Sequence, residues 1–363
     1  MSEPGRAGGV SPPVGASTGG VASPTRLEAG LLAEARRLGF ALAGIAAATR
    51  ADGFERLRDW LDRGHAGEMG YLHAHAAARE HPRGVFPEVR SVVMVGMDYG
   101  GPAARGSAKV ARYARGADYH KVVRERLRRL GAWLRERRPG CWGRVAVDTA
   151  PLLERDFARR AGLGWFGKNT MLIHPRHGSW FVLGGLLVDV ELEPTPSFDT
   201  AHCGTCTACL DACPTQAFVA PLVLDARRCV SYLTIELRRE VPEDLRAGLG
   251  DWVYGCDVCQ EVCPWNRKAP AGHPALAARP DLVAVDAAEL LGLSAEAFRE
   301  RFEGTALYPR PGRPVVLRNA ALVLGNAGDA AALPALRRAL DDPEPLVRDA
   351  AAWAIGRVER RGR

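Results

Sequence analysis

Eight of the nine cysteines in this chain have the spacing of thiolate ligands. Cys203, Cys206, Cys209 and Cys213 stand in CGTCTACLDACPTQAF, Cys256, Cys259 and Cys263 in GCDVCQEVCPWN, and Cys229 between the two runs in DARRCVSYLTIE. Two residues between cysteines let a tight loop place successive sulfurs on neighbouring irons, with backbone N–H groups turned toward the anionic cluster. The longer gap before Cys213 carries that thiolate to a second cluster. Pro214 and Pro264 follow the last cysteine of each run, where a missing N–H costs nothing and the chain can enter a helix. By the rule that the fourth cysteine of such a motif ligates the partner cluster, Cys203, Cys206, Cys209 and Cys263 are expected to hold one 4Fe-4S cluster, and Cys213, Cys229, Cys256 and Cys259 the other. Such clusters carry single electrons, so the rest of the chain is expected to hold whatever those electrons reduce.

Competing uses of the cysteines fit less well. Zinc sites usually take two CxxC pairs separated by a longer loop, not three cysteines at successive two-residue gaps followed by CysPro. Disulfides are not expected, because no apolar signal core heads the sequence and a chain this long builds its own core. The ninth cysteine, Cys141, ends a basic helix beside Trp142 and reads as a packing residue.

The elements that must position these ligands are legible in outline. With 363 residues, 47% of them hydrophobic, the chain is expected to hold two or three domains. No apolar stretch approaches the roughly 18 residues of a membrane span, and a cytoplasmic location is the default. A formal charge of +7 points toward a polyanionic partner, although arginine-rich helix faces can simply be solvated. Residues 1–24, rich in Gly, Pro, Ser and Ala, are expected to be disordered. From residue 25 to 194, helices and strands alternate. A helix in LEAGLLAEARRLGF leads to a strand in FALAGIAAA, a helix in FERLRDWLDRG, a strand in RSVVMVGMDY and a long helix over 119–138. Then come a strand in GRVAVDT, a helix in LLERDFARRAG, and strands in TMLIHP and SWFVLGGLLVDVEL. This predicts an α/β or α+β domain.

A ferredoxin-like two-cluster domain is expected over 195–267, and a linker with helices over 268–311, where Asp286 and Glu289 read as a capping box. From 312 to 363 the sequence repeats itself: Ala321, Leu324 and Gly325 recur as Ala352, Ile355 and Gly356. Each unit reads as two short helices of a HEAT-like repeat.

In this order the parts resemble one family, the epoxyqueuosine reductases, cobalamin- and iron–sulfur-dependent enzymes of tRNA queuosine synthesis. The resemblance is carried by RYARGADYHKV (112–122), VDTAPLLERDFARRAGLGWFGKNTMLI (147–173), GSWFVLGGLL (178–187), the cysteine runs, CVSYLTIE (229–236) and RNAALVLGN (318–326). It covers nearly everything from about residue 27 onward.

What the resemblance implies is removal of the epoxide oxygen from a modified guanine at the tRNA wobble position, leaving an alkene and water. The first domain would bind base-off cobalamin, the clusters would pass it electrons from a low-potential donor, and the repeats would contact tRNA. The matching acid is Asp148, which would protonate the leaving oxygen if burial against the corrin raised its pKa. Without the resemblance, Asp148 reads as the cap of a turn. Glu154 and Asp156 read as solvated. The family resemblance also implies corrin contacts from Arg79, Asp148, Leu172, Leu183, Ser231 and Asp257. The DxHxxG motif of other cobalamin proteins is incomplete around Asp118 and His120, so His120 is expected to be structural or to face substrate. Arg318, Arg337, Arg338 and Arg348 are candidates for phosphate contacts. A monomer is the default. Alternative readings are a cobalamin and iron–sulfur reductase of a small molecule, such as a halogenated organic compound, and a ferredoxin-type electron carrier. The first of these would expect a twin-arginine signal before an apolar stretch, and the second leaves the large first domain unexplained.

Overall fold

The computed structural model describes residues 26–361, so the expectation for 1–24 lies outside the described residues. The helix α1 (Arg26–Arg37) buries Leu31, Leu32 and Ala35. It leads into a four-stranded sheet of β1 (Leu42–Ala47), β2 (Ser91–Asp98), β3 (Gly143–Ala146) and β4 (Phe181–Val188), in the spatial order β1-β2-β4-β3. Every pairing in it is antiparallel. That resolves the fold class: helices alternate with strands along the chain, yet no parallel crossover forms in this sheet, so the first domain is α+β.

All eight residues of β2 are buried, which is why its sequence reads as an unbroken apolar run. Its side chains still alternate. Val93, Val95 and Met97 join Val123, Leu127, Leu130 and Leu134 of the long helix α3 (Tyr119–Arg137) on one face. Val92 and Met94 join Phe157 and Ala158 of α4 (Glu154–Arg160) and Phe54 of α2 (Phe54–Asp62) on the other. One glycine is required by this packing, since a Cβ on Gly44 would lie 1.9 Å from the carbonyl oxygen of Ala161, just past α4.

Several strands are shorter than their apolar runs. The strand expected in GRVAVDT stops at Ala146, because the backbone turns into the left-handed region at Asp148, with φ of +53°. In TMLIHP the strand shrinks to Leu172–Ile173, followed by a single bridge from His174 to Gly178, and the last strand ends at Val188. Asp286 does cap the helix that follows it, accepting a hydrogen bond from Glu289 N at 2.8 Å. The reciprocal half of the box is replaced, since Glu289 instead pairs with Arg301 at 2.8 Å.

A second core joins the later strands and helices to the repeat. Trp252–Tyr254, here β5, pairs in parallel with Lys109–Val110 of the first domain. Its side chains pack with Val230, Tyr232 and Leu233 of α5 (Val230–Ile235) and with the repeat helices α6 (Arg313–Ala327), α7 (Leu333–Arg338) and α8 (Pro345–Arg361). Helix α6 is buried continuously from Val315 to Gly325, as expected of a helix that is apolar all round. The repeated residues fall on α6 and α8, one long helix each, with the short α7 between them. The expected two short helices per unit are thus one helix pair and the first helix of the next.

Candidate functional site

None of the nine cysteines is joined in a disulfide. Cys209 lies in the helical turn Ala208–Asp211 and Cys259 in the turn Val258–Glu261, and these two turns pack against each other. Cys229 caps the N-terminus of α5 in an extended conformation, and Cys263 caps the turn opened by Pro264. Electrostatics shows which thiols are neighbours. Cys209 is pushed up by burial, then by Cys263, Cys203 and Cys206; Cys263 is pushed up by burial and by Cys203 and Cys206. Cys256 is raised by burial and then by Cys229 and Cys213. Cys259 is raised by burial, Cys256, Cys229 and, more weakly, Cys209.

Such a donor set fits two clusters. Thiols crowded into a dry site cannot all ionise against one another unless a cation takes up the charge. The N–H of Ala217 points at Cys213 Sγ, 3.3 Å away, the kind of donor a cluster sulfur accepts. Among the described residues no three His, Cys, Asp or Glu side chains close on a single ion; a cubane places iron and sulfide between its thiolates, so its ligands stand wider than those of one ion. Trp165, Ile173, Phe198 and Trp265 pack with Cys203 and Cys263 as an apolar shell. Lys168 pins the exposed Cys206 loop from below, donating to the carbonyls of Gly204 and Cys206 at 2.7 and 2.9 Å. Cys141 is buried among sheet and helix residues, as a packing residue is.

Asp148 stands at the end of β3 with its side chain 58% exposed. The polypeptide alone does not supply the burial expected of it. Its Oδ2 lies 3.1 Å from His120 Nε2, and His120 Nδ1 lies 2.7 Å from Asp118 Oδ1. Asp118 also caps α3, accepting from His120 N at 3.0 Å. Burial alone would lower the pKa of His120, but its hydrogen bonds to Asp118 and Asp148 outweigh burial and raise it to about 9. These two contacts favour the protonated ring, with Nδ1 against Asp118 Oδ1 and Nε2 against Asp148 Oδ2.

Glu154 and Asp156 are corrections. Asp156 is 2% exposed and accepts from the backbone N–H of Asp52 at 2.7 Å, tying α4 to the start of α2. Glu154 accepts from Asp148 N at 2.8 Å. Burial, followed by the nearby Asp148 carboxylate, pushes its pKa up to about 8. The acidic helix start read as a solvated face is buried at Asp156 and half-buried at Glu154, which lies against the left-handed turn at Asp148.

The expected corrin contacts fall into two groups. Arg79 is 8% exposed, not a surface charge, and donates to His75 O at 3.0 Å. It neighbours Tyr71, whose hydroxyl is raised to about 12 by burial and by Glu236 and Asp148. Leu172 is buried and Leu183 half-buried on β4. Ser231 and Asp257 flank Cys229 and Cys256. Asp257 is 1% exposed; its Oδ2 accepts from Arg112 N at 2.8 Å, while Oδ1 is buried without a partner. An orphaned buried acceptor of this kind fits the amide N–H groups that fringe a corrin.

A ladder of tyrosines that sequence reasoning missed leads from near Cys256 to His120. Tyr254, two residues before Cys256, stacks obliquely on Tyr113 at 6.2 Å, and Tyr113 meets Tyr119 edge-on at 5.9 Å, next to His120. Its signal was present in RYARGADYH, where two tyrosines stand six residues apart on either side of a helix cap.

The phosphate candidates divide. Arg337 and Arg338 are exposed. Arg318 is 1% exposed and Arg348 bonds the carbonyls of Asp342 and Pro343 at 2.7 and 2.9 Å. Arg318 was misread because α6 is buried on every side, which the arginine's charge concealed.

Comparison with known proteins follows the same division of the chain. The family described as "Epoxyqueuosine reductase QueG, DUF1730" matches residues 79–149, "4Fe-4S double cluster binding domain" matches 202–266, and "HEAT repeats" matches 310–362. The chain is 43% identical to an epoxyqueuosine reductase of Pseudomonas aeruginosa, over 92% of this chain and 95% of that one. It is 41% identical to that of Escherichia coli, over 89% and 88%. Among solved structures, an epoxyqueuosine reductase with an epoxyqueuosine-modified tRNA stem loop is 34% identical with a TM-score of 0.83, covering 92% of this chain and 90% of that one. One from Bacillus subtilis is 33% identical with a TM-score of 0.85 over the same shares.

Proposed function

The chain belongs to the epoxyqueuosine reductase family, and from that premise we propose how its residues divide the reaction. The protein is an oxidoreductase that reduces epoxyqueuosine in tRNA, using two 4Fe-4S clusters and cobalamin. Identity of 43% over 92% of this chain and 95% of the relative carries this conclusion. It leaves the small-molecule reductase and electron-carrier readings unfavoured.

Cys203, Cys206, Cys209 and Cys263 hold the outer cluster, whose Cys206 loop is exposed and would meet a low-potential electron donor. Cys213, Cys229, Cys256 and Cys259 hold the inner one, flanked by Ser231 and Asp257. Arg79, Asp148, Leu172, Leu183, Ser231 and Asp257 would hold the corrin, with Asp257 Oδ1 accepting an amide N–H. Bound cobalamin supplies a strongly reducing cobalt centre to the epoxide.

The chain's own residues manage protons. Loss of the epoxide oxygen as water consumes two electrons and two protons. Asp148 Oδ holds the proton for the leaving oxygen, which would otherwise depart as an unstable alkoxide. His120 Nε2 fixes Asp148 from one side, and Glu154, through the Asp148 N–H, from below. Arg337 and Arg338 take phosphates of the tRNA without reading sequence. We assign 25–194 to the cobalamin domain, 195–267 to the clusters, 268–311 to a linker and 312–363 to the repeat, and take the protein to be a cytoplasmic monomer.

Incubation of the reconstituted protein with epoxyqueuosine-tRNA, cobalamin and a chemical reductant tests this. The modified nucleoside should lose the mass of one oxygen; an unchanged mass with both cofactors bound refutes the assignment.

A further inference from the structure

Helix α6 carries the pair Arg318-Asn319, and both residues are turned inward. Arg318 is 1% and Asn319 0% exposed. Arg318 donates to the carbonyls of Leu233, Leu237 and Arg239 at 2.5, 2.9 and 2.6 Å and, through Nε and Nη2, to Asn319 Oδ1 at 3.0 and 2.7 Å. Asn319, oriented by that fork, donates to Thr234 O at 2.9 Å and Val253 O at 2.8 Å. The first carbonyl belongs to α5 and the second to β5.

These two elements carry cysteines. Cys229 caps α5, and Cys256 follows β5 after Gly255, whose φ is +66°. A second link joins them directly: Thr234 Oγ1 accepts from Gly255 N at 3.0 Å and donates to Val230 O at 2.7 Å. With about 1.5 Å of rise per residue, Cys229 lies little more than one helical turn from Thr234, so a shift of α5 is passed to it almost rigidly. A guanidinium buried with no carboxylate in its hydrogen-bond shell is expensive, and an apolar residue would pack a repeat helix more cheaply. What it adds is a fixed set of donors aimed at the free carbonyls at the C-terminal end of α5.

We propose that Arg318, Asn319 and Thr234 are positioning residues for the inner cluster, setting the separation of Cys229 from Cys256 through α5 and β5. The repeat helix then helps to shape the cluster site that it packs against. This rests on the assignment of Cys229 and Cys256 to one cluster, and the test separates the two claims.

Holoprotein is prepared without oxygen in a Cys206→Ala background, where the outer cluster is disrupted and the inner one remains. Retention of the full wild-type iron, or loss of all of it, refutes the ligand assignment itself. With the inner cluster present, Thr234→Val removes only the hydroxyl link. It should change the cluster's electron paramagnetic resonance spectrum and release iron to a chelator about tenfold faster, the factor expected for one buried hydrogen bond. Thr234→Ser should restore both readouts. Arg318→Lys, which keeps the charge and loses the fork, should shift them the same way if Thr234→Val fails to fold. Asn326 of α6 makes similar docking bonds, to Arg246 O and Gly250 O at 2.8 and 3.2 Å, on a segment without cysteines. Asn326→Ala should leave the spectrum unchanged. An unaltered spectrum and release rate in folded Thr234→Val or Arg318→Lys, or an equal change in Asn326→Ala, overturns the proposal.

Discussion

Asp148 holds its position through neighbours on both sides, His120 at its carboxylate and Glu154 at its N–H. Asp148→Asn keeps the shape and removes the proton, so clusters and cobalamin should bind while turnover falls by roughly 10²–10⁴; single-turnover assays on tRNA check this, and wild-type rates would remove the acid role. The pairing is also sensitive to pH. His120 has its folded pKa raised from 6.5 to about 9, so its contribution is fully present below about pH 6.5 and is lost as pH rises through about 9. Turnover should therefore decline on the alkaline side near pH 9, and His120→Gln, unable to carry the charge, should flatten that limb. At this scale the sequence was a partial guide. Asp148 was recognisable only by resemblance, while Glu154 and Asp156 looked solvated because spacing along a helix cannot reveal which segment returns to cover it.

Two glycines that look equivalent in the repeat, Gly325 and Gly356, differ once the helices pack. A Cβ on Gly325 would lie 2.8 Å from both Ala354 Cα and the Trp353 ring, whereas one on Gly356 meets only the end of Arg360 at 3.3 Å. Gly325→Val should thus lower stability by about 1–3 kcal/mol through overpacking of α6 on α8. Gly356→Ala should be neutral or stabilising by up to about 1 kcal/mol, from helix propensity; thermal unfolding of the two variants distinguishes them. Elements were legible wherever a period was strong: α3, β2 and β4 follow from their apolar patterns. Strand ends were not, since Ala146 and Val188 close their strands for reasons of pairing and backbone turn, not hydrophobicity. Sheet direction was equally hidden, because alternation along the chain does not say whether a helix crosses over or turns back.

Across the whole molecule, one apolar core joins β5, α5 and the repeat helices, so the cluster region and the repeat are not separate beads. The exposed and buried arginines of the repeat should behave differently as a result. Replacing Arg337 and Arg338 by Ala should weaken tRNA binding uniformly across sequences and reduce the salt slope by roughly one for each phosphate left without its arginine, as read by filter binding over a salt series. Arg318→Ala should cost folding stability with the salt slope unchanged. The account as a whole depends on the cysteines holding paired cubanes that serve a redox reaction. Its most direct test is quantitation of iron and acid-labile sulfide in protein purified without oxygen. Two 4Fe-4S clusters predict about eight of each per polypeptide; about four, or zinc in place of iron, would contradict it.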